Sequence, residues 1–125
     1  MARVLLAEDE EAVRALVARA LAQDGHYVAV AVDGGEALDR LAHHDGRFDL
    51  LLADIKMPVM DGIALALATA RDYPTLAILL MTGYADQRER AHGLDALIHD
   101  VIAKPFSNQE IRAAVNEALA TAARP

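Results

Sequence analysis

Leu50-Leu51-Leu52-Ala53-Asp54-Ile55-Lys56-Met57-Pro58-Val59-Met60-Asp61-Gly62 is the stretch on which the fold turns. An apolar run of strand type ends in a carboxylate, a proline-fixed turn follows, and Asp61-Gly62 opens a helix. Asp54 is thereby placed at the exit of a strand, where a ligand can reach it. Whether that matters depends on what the rest of the chain delivers to the same place.

Four other short apolar runs flank this one. Strands are expected at residues 3–7, 27–32, 49–54, 77–82 and 98–103. Their near-continuous hydrophobicity, without strict alternation, reads as strands covered on both faces. Helical periodicity fills the intervals. Val13, Leu16, Val17, Ala20 and Leu21 recur at three- and four-residue steps, and Gly25 stands where a C-terminal cap belongs. Asp33-Gly34-Gly35-Glu36 opens a second helix with Leu38 and Leu41 inward, and Asp61 caps a third that stops before Pro74. The fourth, residues 86–93, is short, charged and poor in apolar residues, so it should pack weakly. Ser107-Asn108-Gln109-Glu110 is a capping box for the fifth, whose buried stripe is Ile111, Val115 and Leu119. Five βα units in succession predict an α/β fold, a doubly wound parallel five-stranded sheet with right-handed crossovers and helices on both faces. The domain is expected to fill residues 1–120, with 121–125 a frayed tail and no output domain after it.

Composition narrows the function. With 125 residues the chain is one domain by size, and 54% apolar with 25% charged residues is ordinary globular usage. A net charge of −7 argues against direct DNA binding, which needs clustered Lys and Arg, and 4% aromatic residues leave few stacking platforms for bases. No apolar run reaches the roughly 18–20 residues of a membrane span, and no signal peptide is visible, so a cytoplasmic location is expected. Cysteine is absent, which removes disulfides and thiolate chemistry. Arginine outnumbers lysine ten to two, which draws attention to Lys56 and Lys104 as positions where a compact ammonium is retained.

Ligands of an open parallel sheet bind outside the carboxyl ends of its strands. The first strand ends in Glu8 and Asp9, the third in Asp54, the fourth in Thr82-Gly83, and the fifth in Lys104-Pro105. Singly, each has a plain structural explanation as a helix-start acid, a turn residue, a cap or a surface lysine. Jointly they put three carboxylates, a hydroxyl and a lysine on one rim. Three carboxylates at close quarters repel and so favour a hard divalent cation, for which Mg²⁺ is suited. A cation there would offset charge on a phosphoryl group while Asp54 acts as in-line nucleophile. Lys104 and the Thr82 hydroxyl would contact the other phosphoryl oxygens. Pro105 is expected to follow a cis peptide bond that aims the lysine.

Glu8-Asp9, Asp54 within Asp54-Ile55-Lys56-Met57-Pro58-Val59-Met60-Asp61-Gly62, Thr82-Gly83 and Lys104-Pro105-Phe106 together resemble the receiver domain of two-component response regulators, over nearly the whole chain. The resemblance implies strand order 2-1-3-4-5. It implies Asp54 as phosphoacceptor, Glu8 and Asp9 as Mg²⁺ ligands with the backbone carbonyl of Lys56, and Thr82 and Lys104 as the phosphate-contacting pair. It also implies a sensor histidine kinase or histidine phosphotransfer protein as donor and an unidentified protein as target, reached through the face of helix four, strand five and helix five. With no effector segment expected, the chain is similar to single-domain members; Ala7-Glu8-Asp9 and Thr82-Gly83-Tyr84 resemble one that controls regulated proteolysis. Many members carry an aromatic residue three positions before the lysine, where this chain has Val101. Tyr84, two after Thr82, is the nearest aromatic, and the expectation is that it reports the switch instead.

Other readings fit less well. An aspartyl-phosphate phosphatase typically keeps a second acid two residues after its nucleophile, where this chain has Lys56, so the chain is not expected to be an enzyme in its own right. A flavin-binding module would need a hydroxyl- and glycine-rich loop after strand one, where Glu8 and Asp9 stand. A phosphorelay intermediate or a receiver fragment of a hybrid kinase keeps the same chemistry in a different setting, and Met1 lying close to strand one favours a stand-alone protein. His26, His43, His44, His92 and His99 show no metal spacing and are expected to be surface residues.

Overall fold

The structure, a computed structural model, describes residues 1–122. Strands β1 (Arg3–Ala7), β2 (Tyr27–Ala31), β3 (Leu50–Asp54), β4 (Ala77–Thr82) and β5 (Asp100–Ala103) alternate with helices α1 (Glu11–Gln23), α2 (Gly34–His43), α3 (Gly62–Asp72), α4 (Ala85–His92) and α5 (Asn108–Ala122). All pairings are parallel, in the order β2-β1-β3-β4-β5. Strand β5 begins two residues later than expected, β2 ends one earlier and β3 starts one later, differences confined to strand ends. Helix α5 continues through Thr121 and Ala122, so the expected tail does not begin at 121; its remaining residues, 123–125, lie outside the described ones.

Successive strand residues face opposite sides, and both sides are covered. Leu5, Leu51, Ile78 and Leu80 pack against Leu41 of α2 and Leu65 of α3. Val4, Leu6, Leu50, Leu52 and Leu79 meet Val17 and Leu21 of α1 and Ile111 and Val115 of α5. Every residue of β3 is buried, as expected for a central parallel strand. Each fully buried leucine contributes roughly 1.5–3 kcal/mol, so the strand that ends in Asp54 is anchored firmly on both faces.

The caps read from sequence are in place. Asp33 accepts from the Glu36 N–H and Asp61 from the Ala64 N–H, both at 2.8 Å. Ser107 and Glu110 exchange reciprocal bonds at 3.0 and 2.9 Å. Gly25, with φ +84°, follows the C-terminal cap of α1 in the left-handed region that glycine tolerates. Helix α4 packs weakly, as its composition predicts: Ala91 is its one buried residue. Leu16, placed on the inward stripe of α1 by periodicity, is instead 48% exposed. The stripe is narrower than the pattern, because α1 rests on the sheet mainly through Val17, Ala20 and Leu21.

The turn after β3 carries strain. Val59 has φ +69° and its side chain is 84% exposed. A β-branched residue is disfavoured in this region and gains little packing here to offset the cost. Val59→Asn should therefore raise unfolding free energy by about 1 kcal/mol, read from urea titration; an unchanged or lower midpoint would refute the strain.

Candidate phosphoacceptor and metal site

Ladder hydrogen bonds continue one residue beyond the strands and fix the rim. The Glu8 N–H donates to Ala31 O at 3.0 Å, Ile55 to Met81 O at 2.9 Å, and Lys104 to Thr82 O at 2.8 Å. Parallel register thus aligns the ends of β1, β3, β4 and β5. The loop after Asp54 is pulled back onto the strand by the Gly62 N–H, which donates to Ile55 O at 2.7 Å. A Cβ at residue 62 would stand 2.3 Å from the Asp54 carbonyl oxygen, so only glycine lets α3 start this close.

Carboxylate oxygens of Glu8, Asp9 and Asp54 lie within 4.8 Å of one another. Glu8 is fully buried, Asp54 is buried, and Asp9 is exposed. The Lys104 ammonium reaches between the two buried acids, 2.5 Å from Glu8 Oε1 and 3.3 Å from Asp54 Oδ2. The Lys104–Pro105 peptide is cis. Glu8 is braced further: its Oε2 accepts the Glu10 N–H at 3.2 Å, and Arg14 Nη1 donates to its backbone carbonyl at 2.8 Å. Arg14 escaped the sequence reading, since an arginine in the first turns of a helix looks like any solvated charge.

One ammonium against two buried carboxylates leaves the cluster short of positive charge. Burial pushes Glu8 up to about 7, against the hydrogen bond from Lys104 that pulls it down. Burial also raises Asp54, opposed by the charge and hydrogen bond of Lys104. Burial works against a charged Lys104, but its hydrogen bond to Glu8 and the Asp54 charge outweigh it and raise it further. The lysine is therefore held protonated, while the acids are poorly compensated without another cation. Three hard oxygen donors fit Mg²⁺ by chemistry.

This arrangement sets a pH dependence. With its folded value raised from 4.5 to about 7, Glu8 binds a proton more tightly in the folded chain than in the unfolded one. Its contribution is complete below about pH 4.5 and is lost as pH rises through about 7, on the order of 3 kcal/mol. Asp24, Asp72 and Glu110 are shifted the other way by their partners, so their losses fall at lower pH. Urea titrations in chelator should show stability falling between pH 4.5 and 7.5, and Mg²⁺ should restore most at the upper end. A flat profile, or equal Mg²⁺ stabilisation at both ends, would contradict the poorly compensated cluster.

Of the remaining expected residues, Thr82, Tyr84 and Lys56 are at the same rim. Thr82 is buried and its hydroxyl is turned to the backbone of Tyr84, accepting the N–H at 3.1 Å and donating to the carbonyl at 3.5 Å. Tyr84 is half exposed, and the Lys56 ammonium lies 4.8 Å from its ring centroid. Val101 is buried beside Leu80, away from the rim. A cavity of about 690 Å³ opens over Asp54 between Asp9, Leu16, Lys56, Tyr84 and Phe106. Exposed Leu16 is thus part of the mouth. Among the histidines, His26, His44 and His99 depart from the surface expectation and are half-buried; the His26 Nδ1 accepts the Ala2 N–H at 3.2 Å, and its Nε2 lies 3.0 Å from Asn116 Oδ1. Arg112 and Asn116 both bind Asp24, so this network ties α5 to the end of α1.

Known proteins with this geometry are recognisable. The family model described as the response regulator receiver domain matches residues 4–116. The response regulator MprA of Mycobacterium avium is 38% identical over 111 residues, which is 89% of this chain and 48% of that protein. The chain thus spans about half the length of the curated relatives it matches. Among solved structures, the response regulator TrrA of Thermotoga maritima, in complex with Mg²⁺-BeF, superposes with a TM-score of 0.83 at 27% identity, covering 94% of this chain and 99% of that one. The chemotaxis response regulator CheY4 of Vibrio cholerae gives 0.83 at 28% identity, covering 94% and 98%.

Proposed function

Because the chain belongs to the response regulator receiver domain family, we propose that Asp54 accepts a phosphoryl group from a phosphohistidine, on a sensor histidine kinase or a histidine phosphotransfer protein. The observation that carries this is the convergence of Glu8, Asp9 and Asp54 within 4.8 Å with Lys104 3.3 Å from Asp54. An Asp54 carboxylate oxygen forms the O–P bond as the P–N bond breaks, and the electron pair returns to the imidazole nitrogen of the donor. Glu8, Asp9 and Asp54, with the Lys56 backbone carbonyl, would hold Mg²⁺. When bound, the ion supplies charge compensation to phosphoryl oxygens. Lys104 favours the ionised form of Asp54 against the effect of its burial and offers its remaining donors to the transferred group.

The same residues support a regulatory role over a catalytic cycle. Position 56 is lysine, so no second acid stands two residues after Asp54 to activate water. The acidic balance of the chain supports a protein target over nucleic acid, and among the described residues no helix is long and apolar enough to cross a membrane. A receiver working in the cytoplasm and signalling through protein contacts is the reading these features support best.

Incubation with acetyl phosphate and Mg²⁺ tests it. The expected product is one acid-stable, base-labile phosphoryl group per chain that does not form in chelator. Rapid multiple turnover of phosphate esters would instead indicate a phosphatase.

A further inference from the structure

The Thr82 hydroxyl, expected from the sequence to contact the phosphoryl group, is turned to the backbone instead. It is engaged with the backbone of Tyr84 on both its acceptor and its donor side. Tyr84 is also the residue that enters α4, and no side chain caps that helix. Its ring lies under the ammonium of Lys56, which projects from the loop that follows Asp54. One residue therefore joins the β4–α4 loop, through its backbone, to the β3–α3 loop, through its ring.

We propose that Lys56 and Tyr84 form a latch that closes these two loops over the site before phosphorylation, and that it opens when Thr82 turns to the phosphoryl group. The inference rests on Asp54 being the phosphoacceptor. When the hydroxyl turns toward Asp54, the Tyr84 N–H loses its acceptor and the start of α4 must reset. Little resists that movement, since Ala91 is the one buried residue of α4. An ion pair between Arg90 and Asp61, at 3.3 Å with both side chains partly exposed, is a second tie between α4 and the N-terminus of α3. Gly83 offers room for the change: a Cβ there would meet only Lys104 Cβ, at 3.8 Å. Val101 lacks a ring and is buried against the sheet, so it cannot report the movement. The latch gives this chain an aromatic reporter on the loop that moves.

The chain has two lysines, so lysine-selective ¹³C labelling gives two side-chain signal sets, and Lys56→Met assigns them. In the free protein the Lys56 ε-methylene should be shifted upfield by the Tyr84 ring current, and Tyr84→Leu should remove that shift. Mg²⁺ with beryllofluoride, a phosphoryl mimic, should move the wild-type signal to the Tyr84→Leu position, with bound ¹⁹F resonances confirming occupancy. Removing the latch should also tighten beryllofluoride binding about two- to fivefold in Tyr84→Leu, and this gain should vanish in a Lys56→Met background. A Lys56 signal that stays upfield with beryllofluoride bound overturns the latch alone. Absence of bound ¹⁹F resonances overturns the phosphoacceptor reading and the latch with it.

Discussion

Asp54→Asn will take up no phosphoryl group from acetyl phosphate, with labelling reduced by more than about a hundredfold. The nucleophile is a carboxylate oxygen, and an amide oxygen in the same position lacks the charge to attack phosphorus and cannot form an acyl phosphate. Glu8 and Asp9 cannot stand in. Glu8 is fully buried and paired with Lys104, and Asp9 lies on the exposed side of the cluster. The same substitution should leave the fold intact, because it removes one of two acids competing for a single ammonium. Glu8 then keeps Lys104 for itself, and stability near pH 8 should be equal to or above that of the wild type. Intact labelling in a folded Asp54→Asn protein would move the acceptor elsewhere. A protein that loses both label and fold would contradict the charge argument for the cluster.

Lys104→Met has the larger structural consequence. Methionine fills a similar volume but leaves Glu8 and Asp54 facing each other without a cation. Breaking a buried pair by removing one partner costs about 3–5 kcal/mol when the stranded charge cannot relax. Here it can, by taking up protons, since burial already raises both acids. The expected loss is about 3 kcal/mol near pH 8 without Mg²⁺, shrinking near pH 5, where Glu8 is protonated in either protein. Mg²⁺ should recover much of it at pH 8 by replacing the missing positive charge. Urea titrations at the two pH values, with and without Mg²⁺, decide the point. A pH-independent loss would indicate that the lysine acts through packing of its alkyl chain.

Much of this was legible in the sequence because it is local. Unbroken apolar runs gave the buried strands, since a parallel strand covered on both faces has no polar side to show. Asp33, Asp61 and Ser107 gave the helix starts, because an N-cap bond spans three residues. The rim residues followed from knowing where strands end. Periodicity misplaced Leu16, because spacing reports a helical stripe but not how much of it a neighbour covers.

By itself the sequence determined five βα units, the types of group at the strand ends and the chemistry those types allow; strand order came only from resemblance to a family. The tertiary structure decided which groups face one another. It set Lys104 between Glu8 and Asp54, with 96 residues separating the lysine from the glutamate. It turned Thr82 toward Tyr84 and brought Lys56 over the Tyr84 ring. Those pairings depend on parallel register across four strands and on loop paths at the rim. Register and loop path are settled by packing on both faces of the sheet at once, which no local stretch of chain encodes.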